Sequence, residues 1–97
     1  MKYIPVEKHW LEMYQKYDFY KVIKRFPVNK IHLKSLKNRL DRSEVFHMLM
    51  NFDRDVWMPI TLNKDYFLTD GQHRLELTKQ LGIEFLDVVI LDEEKLI

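Results

Sequence analysis

The chain has 97 residues, of which 46% are hydrophobic and 32% are charged, and it contains no cysteine. This composition fits one compact soluble domain that buries roughly 60 to 70% of its unfolded surface. The lack of cysteine excludes disulfides, thiolate metal sites and cysteine nucleophiles. No apolar run approaches the roughly 18 to 20 residues that cross a bilayer, and the first residues lack a signal-peptide core, so we expect a cytoplasmic protein with no membrane contact.

The net charge of +1 hides an uneven distribution of charge along the chain. Residues 1–42 contain 11 lysines and arginines against 4 acidic residues, whereas residues 43–97 contain 5 against 11. The excess is greatest in a basic segment, residues 21–42, which could bind a nucleic-acid backbone, lie over a polyphosphate, or pair with the acidic second half inside one fold. Its basic members are Lys21, Lys24, Arg25, Lys30, Lys34, Lys37, Arg39 and Arg42.

Hydrophobic spacing predicts a helical start to the chain. Residues 7–26 place apolar side chains at helical intervals without internal glycine or proline, which predicts one kinked helix or two short helices. Pro27 should end this region, and residues 28–33 can form the first strand. Asp41 and Glu44 have the spacing of a capping box, which predicts a helix from that point.

A hairpin, a helix and a strand are predicted in the second half. Residues 58–62 and 66–69 are β-prone runs joined by a short polar link, which favours a hairpin. Residues 71–81 are helix-prone and are followed by Gly82, the residue type favoured just past a helix end. Residues 85–91 are almost continuously apolar, which predicts a central strand. Together these elements predict a small α/β fold with a mixed sheet of about four strands and packed helices.

The most informative stretch is Asp70-Gly71-Gln72-His73-Arg74, where a strand should pass into a helix. Glycine would let the backbone approach a ligand, and the first amides of a helix carry the positive end of its dipole. Arg74 could grip a phosphate in a bidentate manner, and His73 could donate a hydrogen bond or carry a proton. Alternatively, this is an ordinary Asp-Gly turn in which Asp70 caps the helix and the basic side chains are solvated.

Other catalytic and metal motifs are missing from the sequence. The four histidines, His9, His32, His47 and His73, show no metal-ligand spacing, so no metal site is predicted. A Walker-type loop and a Gly-x-Ser-x-Gly elbow are also absent. Any nucleotide site must therefore depend on residues 70–74, which we call the 70–74 turn.

Several segments of the second half occur in a characteristic order around the 70–74 turn. They are Pro59-Ile60-Thr61-Leu62, Tyr66-Phe67-Leu68-Thr69, Lys79-Gln80-Leu81-Gly82 and Leu86-Asp87-Val88-Val89-Ile90. This order resembles the ParB/sulfiredoxin superfamily, in which a Pro-Ile strand, a hairpin, a glycine-led basic turn and a helix ending in Leu-Gly follow one another. Asn38 and Arg39 weakly resemble its Asn-Pro-Arg segment. The resemblance implies one domain over residues 1–97, with a helical extension at 1–27 and the ParB/sulfiredoxin-like core at 28–91.

The resemblance also implies a ligand. Superfamily members include reductases that use ATP, partition proteins that use CTP while loading onto DNA, and free-serine kinases that use ADP, and all place phosphates against the turn that matches Gly71 to Arg74. Sulfiredoxin activity is excluded because Gln72 stands where its motif needs cysteine. A complete partition protein is not expected, since the DNA-binding and dimerisation regions that follow its ParB fold are missing from this sequence. The kinase-like and small stand-alone members are the most similar.

We therefore predict a nucleotide- or phosphate-binding domain that takes ATP, ADP or CTP, with magnesium as a possible partner, and acts as an NTPase or phosphotransferase if it is an enzyme. Gly71, Gln72, His73 and Arg74 would bind phosphate. Asp70 and His73 are the catalytic candidates, Asp70 either capping the helix or holding a divalent ion or an attacking hydroxyl. Further candidates around the site are Arg39, Arg42 and Glu44.

Two predictions from other functional classes remain open. One is a non-catalytic DNA-associated module that uses the basic segment on the phosphate backbone. The other is an interaction protein whose aromatic N-terminal helices dock on a partner.

Overall fold

The computed structural model describes residues 3–33 and 57–96, together with Ser43, His47 and Met50, which are helical and exposed. Helices of the length and apolarity that a bilayer requires are absent from these residues. The elements in chain order are α1 (Lys8–Gln15), β1 (Tyr20–Pro27), a 3-10 helix (Val28–Lys30), β2 (Ile60–Leu62), β3 (Leu68–Asp70), α2 (Gln72–Gln80), β4 (Phe85–Leu91) and a second 3-10 helix (Glu93–Leu96).

The four strands form one mixed sheet in the order β1-β4-β2-β3. β4 runs antiparallel to β1 and parallel to β2, and β2 and β3 form an antiparallel hairpin. Residues 86–90 of β4 are all buried, as expected for a strand with neighbours on both sides. The predicted α/β class, the hairpin, the helix after it and the central final strand are confirmed.

A single apolar cluster joins the sheet to the helices and to the extended residues before α1. Trp57 closes one side of this cluster, and its indole Nε1 donates a hydrogen bond to the carbonyl oxygen of Ile4 at 3.2 Å. The buried members of the cluster are Ile4, Val6, Leu11, Phe26, Trp57, Ile60, Leu62, Leu75, Leu77, Ile83, Leu86, Val88 and Ile90.

A buried carboxylate connects the N-terminal residues to the central strand. Asp87 of β4 is only 1% exposed. It accepts hydrogen bonds from the Tyr3 hydroxyl at 2.6 Å, the Val6 amide at 2.8 Å and the Arg25 amide at 3.1 Å. Burial and the bond to Asp87 raise the pKa of Tyr3 to about 12, so the phenol remains a proton donor at neutral pH. The Arg25 guanidinium lies 4.8 Å from the centre of the Tyr3 ring.

The structure corrects the prediction of helix over residues 7–26. Only Lys8–Gln15 is helical, and Tyr20–Pro27 is an edge strand paired with β4. The cause of the error is a β-bulge between Ile23 and Phe26, where Arg25 has a φ of 57°. The extra residue breaks the two-residue alternation of the strand and leaves apolar side chains at intervals that imitate a helix. The sheet thus begins within the segment predicted as a helical extension.

The predicted strand over residues 28–33 is also wrong. Val28–Lys30 forms a 3-10 helix that closes with a hydrogen bond from the Ile31 amide to the Val28 carbonyl at 3.1 Å. The Val28 amide bonds to the carbonyl oxygen of Glu84 at 2.9 Å, just beyond the Pro27–Phe85 pair of β1 and β4, where the strand ends. Only His32 pairs with a strand-like neighbour, Phe67. The capping box predicted at Asp41 and Glu44 lies outside the described residues.

Replacing Asp87 by Asn should destabilise the fold. The substitution keeps the size of the side chain but places an NH₂ donor against the donors that the carboxylate now accepts. We expect the free energy of unfolding, measured in urea, to fall by at least about 2 kcal/mol. Asp65→Asn, in the exposed hairpin link, is the matched control and should change stability by less than about 0.5 kcal/mol. Equal losses in the two variants would contradict the proposed importance of the buried carboxylate.

Candidate functional site

The 70–74 turn lies where β3 passes into α2, as predicted from the sequence. β3 ends at Asp70, and Gly71 is the N-cap residue of α2 with φ 105° and ψ 29°, a left-handed conformation. The first hydrogen bond of the helix runs from the Leu75 amide to the Gly71 carbonyl at 2.9 Å. The first turn of α2 therefore directs the positive end of the helix dipole toward this junction.

Gly71 is needed for packing, independently of any ligand. A β-carbon at this position would lie 2.6 Å from Cγ2 of Ile60 in β2 and 3.2 Å from Nη2 of Arg74. The turn is thus pressed directly against the side chain of a buried strand residue. The sequence predicted glycine for close approach of a ligand, whereas the structure shows close approach to β2. A larger residue at position 71 therefore reports on folding rather than on ligand binding.

Arg74 contributes a partly buried positive charge to the 70–74 turn. Its side chain is only 21% exposed, and Nη2 lies 3.7 Å from Oδ2 of Asp70, a long contact for an ion pair. Its Nε atom is buried without a hydrogen-bond partner. Because a guanidinium removed from water needs acceptors for its N–H groups, this cation is incompletely compensated within the described structure.

Asp70 does not cap the helix. Gly71 occupies the N-cap position, and no side chain makes the capping hydrogen bond. The Asp70 side chain is 77% exposed and faces Arg74 one helical turn away. The capping interpretation is wrong because the strand extends one residue further than a capped helix start would require. The carboxylate remains accessible from solvent beside the guanidinium.

Tyr14 of α1 is a site residue that the sequence analysis missed. Burial raises the pKa of its hydroxyl, the positive charge of Arg74 opposes this rise, and the charges of Tyr20 and Asp70 add to it. The hydroxyl thus lies within electrostatic reach of both charged members of the turn. The Tyr14 ring packs edge-on against Tyr20 with 5.0 Å between centroids, which fixes α1 to β1. An electrostatic influence across 60 residues of sequence has no local signal.

The other predicted site residues lie either in the first turn of α2 or outside the described residues. Gln72 and His73 are half-buried in the first turn of α2, and each makes interactions within the chain. Thr78 is fully buried, and its hydroxyl donates to the Arg74 carbonyl at 2.7 Å, which holds the following turn in register. The candidates Arg39, Arg42 and Glu44 lie outside the described residues. The structure therefore brings together the residues of the turn, with Tyr14 beside them.

Of the basic segment, the described lysines and arginine are all exposed. Lys21, Lys24 and Arg25 are on the edge strand β1, and Lys30 is at the end of the 3-10 helix that follows.

In the described part of the chain the site region offers no group of three potential metal ligands. A magnesium ion at Asp70 would therefore need oxygen ligands from a bound phosphate or from water.

The packing of Gly71 gives a stability prediction with an internal control. Gly82 also has a positive φ, of 70°, but no atom lies within 4 Å of the position where its β-carbon would be. Gly82→Ala should therefore cost only backbone strain, of order 1 to 2 kcal/mol. Gly71→Ala adds a collision with Ile60 and should lower the unfolding free energy in urea by a further 1 to 3 kcal/mol or so. Equal losses would show that packing against β2 does not require glycine.

Comparison with known proteins identifies the fold. No family model matches the chain, and no curated protein matches it in sequence. Sulfiredoxin from Arabidopsis thaliana superposes with a TM-score of 0.62 at 22% identity, over 78% of this chain and 92% of sulfiredoxin. The C2221 form of a Pnob8-like ParB-N domain gives a TM-score of 0.53 at 19% identity, over 78% of this chain and 32% of that one. A pNOB8-like ParB N-domain structure gives a TM-score of 0.54 at 19% identity, over 78% of this chain and 30% of that one. The chain spans about a third of the length of these ParB chains and has a ParB/sulfiredoxin-like fold.

Proposed function

We propose that the 70–74 turn binds the phosphate of a nucleotide or of another phosphate-bearing ligand. The observation that carries the proposal is the state of Arg74: among the described residues its buried Nε has no acceptor, and its Nη2 has a long contact to Asp70. A phosphate oxygen would supply an acceptor to the exposed part of this guanidinium in the planar geometry that the group favours. The positive end of α2 at the same point favours a negative ligand as well.

The described packing supports a site that is formed before the ligand arrives. Gly71 is held against Ile60, which fixes the start of α2, and the Thr78 hydroxyl bonds to the Arg74 carbonyl in the turn that follows. A rigid first turn lowers the conformational cost of binding.

Catalysis at this site would be nucleotide hydrolysis or phosphotransfer. In such a reaction water or an acceptor hydroxyl attacks the terminal phosphorus, its proton passes to a nearby base, and the bond to the bridging oxygen breaks. Asp70 is the accessible carboxylate for that base or for a magnesium ion shared with the phosphate, and His73 is the adjacent alternative. Arg74 would stabilise charge on the phosphoryl oxygens.

Replacing Arg74 by Ala tests the binding proposal. Isothermal titration with ATP, ADP, CTP and inorganic phosphate, with and without magnesium, should show that affinity falls by roughly 10-fold or more, because a charge-assisted pair is lost. Lys79→Ala removes one positive charge from the exposed last turn of the same helix and should leave affinity nearly unchanged. Unchanged binding in an Arg74→Ala protein with native circular dichroism would refute the site.

A second candidate is a DNA-associated module, favoured by the exposure of every described basic residue between Lys21 and Lys30. The observation against a continuous cationic face is the pattern of β1, where half-buried Val22 and Ile23 and buried Phe26 interrupt the basic positions. A row of basic residues that is interrupted by inward-facing residues binds a polyanion more weakly than an uninterrupted row.

Salt dependence distinguishes the two candidates. We expect duplex DNA to bind weakly at physiological salt in a fluorescence anisotropy titration. If the basic segment does bind DNA, the log–log slope of affinity against salt should be about −0.9 per phosphate neutralised. Micromolar, salt-sensitive binding that survives Arg74→Ala would favour the nucleic-acid function over the nucleotide function.

A further inference from the structure

A cleft lies at the end of the β2–β3 hairpin, away from the 70–74 turn. Its volume is about 290 Å³, and none of its lining residues belongs to the turn. The cleft is bounded by the start of β1, by the hairpin link and by the residues that follow β4. It is therefore a separate candidate site, and it does not depend on the phosphate proposal.

The floor of the cleft is apolar. Ile23 of β1 and Ile90 of β4 contribute to it, and Phe19 and Tyr66 add aromatic surface. Lys21 is directly opposite Ile90 in the antiparallel pair, so its side chain leaves the same face of the sheet as the floor. A flat hydrophobic group would thus meet apolar surface with a lysine beside it.

Tyr66 is held in a strained position over this cleft. Its φ is 66°, a left-handed value that is rare for an aromatic residue. Hydrogen bonds from its amide to the Asn63 carbonyl at 3.0 Å and from the His32 amide to its carbonyl at 2.8 Å fix the backbone. Its ring packs edge-on against Phe26 with 5.0 Å between centroids. This conformation belongs to the turn that links β2 to β3, and it fixes the position of Tyr66 at the cleft.

The lysines at the rim of the cleft differ in how far their charges are compensated. Lys64 is paired with Asp92 at 2.9 Å and contacts Glu94 at 3.4 Å, so its charge is compensated. Lys95 donates to the backbone carbonyl of Asp18 at 3.2 Å, which satisfies one N–H group without neutralising the ammonium. Within the described part of the chain Lys21 forms no ion pair. The Lys21 ammonium is therefore the charge of the cleft that is available to a ligand.

We propose that this cleft binds a small aromatic carboxylate, with its ring on Ile23, Ile90 and Tyr66 and its carboxylate between Lys21 and Lys95. The volume is near the lower end of the roughly 300 to 1,000 Å³ typical of small-molecule pockets, which suits a ligand with one ring. One carboxylate would pair with Lys21, which forms no ion pair among the described residues. Apolar contact supplies most of the affinity, and the lysines select the anion.

Phenylacetate is the probe for this proposal. Its binding to the full chain is monitored by two-dimensional ¹H–¹⁵N NMR. We expect saturable shifts at Phe19, Ile23, Tyr66 and Ile90, with the 70–74 turn unaffected. Acetate, which lacks the ring, and phenethylamine, which reverses the charge, should each bind more weakly than phenylacetate. No saturable shift at the cleft, or binding of phenethylamine as tight as that of phenylacetate, would overturn the proposal.

Two exposed lysines of the same strand give a matched pair of variants. Lys21→Gln removes the rim charge and should weaken phenylacetate binding by about 3- to 5-fold, as for a partly exposed ion pair. Lys24→Gln makes the same change outside the cleft and should leave the dissociation constant unchanged. Equal dissociation constants for the two variants would contradict a role for Lys21.

Discussion

The buried carboxylate of Asp87 is the interaction on which the arrangement of the N-terminal half depends. A central strand with apolar neighbours is an unfavourable place for a carboxylate unless its oxygens are hydrogen-bonded. Here three donors converge on it, from Tyr3, Val6 and the bulge at Arg25. These bonds hold the first residues and the edge strand in one register against β4. A hydrophobic side chain in β4 would fill the space without specifying that register.

The position of α1 follows from this constraint and reaches the candidate site. α1 lies between the residues that bind Asp87 and the strand that carries the bulge, so its place is fixed from both ends. That placement brings Tyr14 within electrostatic reach of Arg74 and Asp70, which come much later in the sequence. Gly71 meanwhile presses the start of α2 against Ile60. Arg74 lies in this first turn, with its side chain largely withdrawn from water and its Nε without an acceptor among the described residues.

The second half of the fold could be predicted from the sequence because its signals are local. A polar link between two β-prone runs, a glycine after a helix and a continuous apolar strand each act within a few residues. β1 could not be predicted because its bulge disguises the alternation of a strand. The Asp87 network joins residues 84 and 62 positions apart, and no periodicity reports such a contact. The 70–74 turn was located correctly, but the reason for its glycine and the role of Asp70 depend on tertiary packing.

The central claim is that an incompletely compensated Arg74 makes the start of α2 an anion site. The most direct test is a ¹H–¹⁵N NMR titration of the full chain with inorganic phosphate and with ATP, observing the Nε–H resonance of Arg74. A new hydrogen bond should move this resonance in a saturable manner, together with the backbone amides of residues 72–74. Saturable binding that leaves the Arg74 Nε–H unchanged, or the absence of any saturable change, would contradict the account.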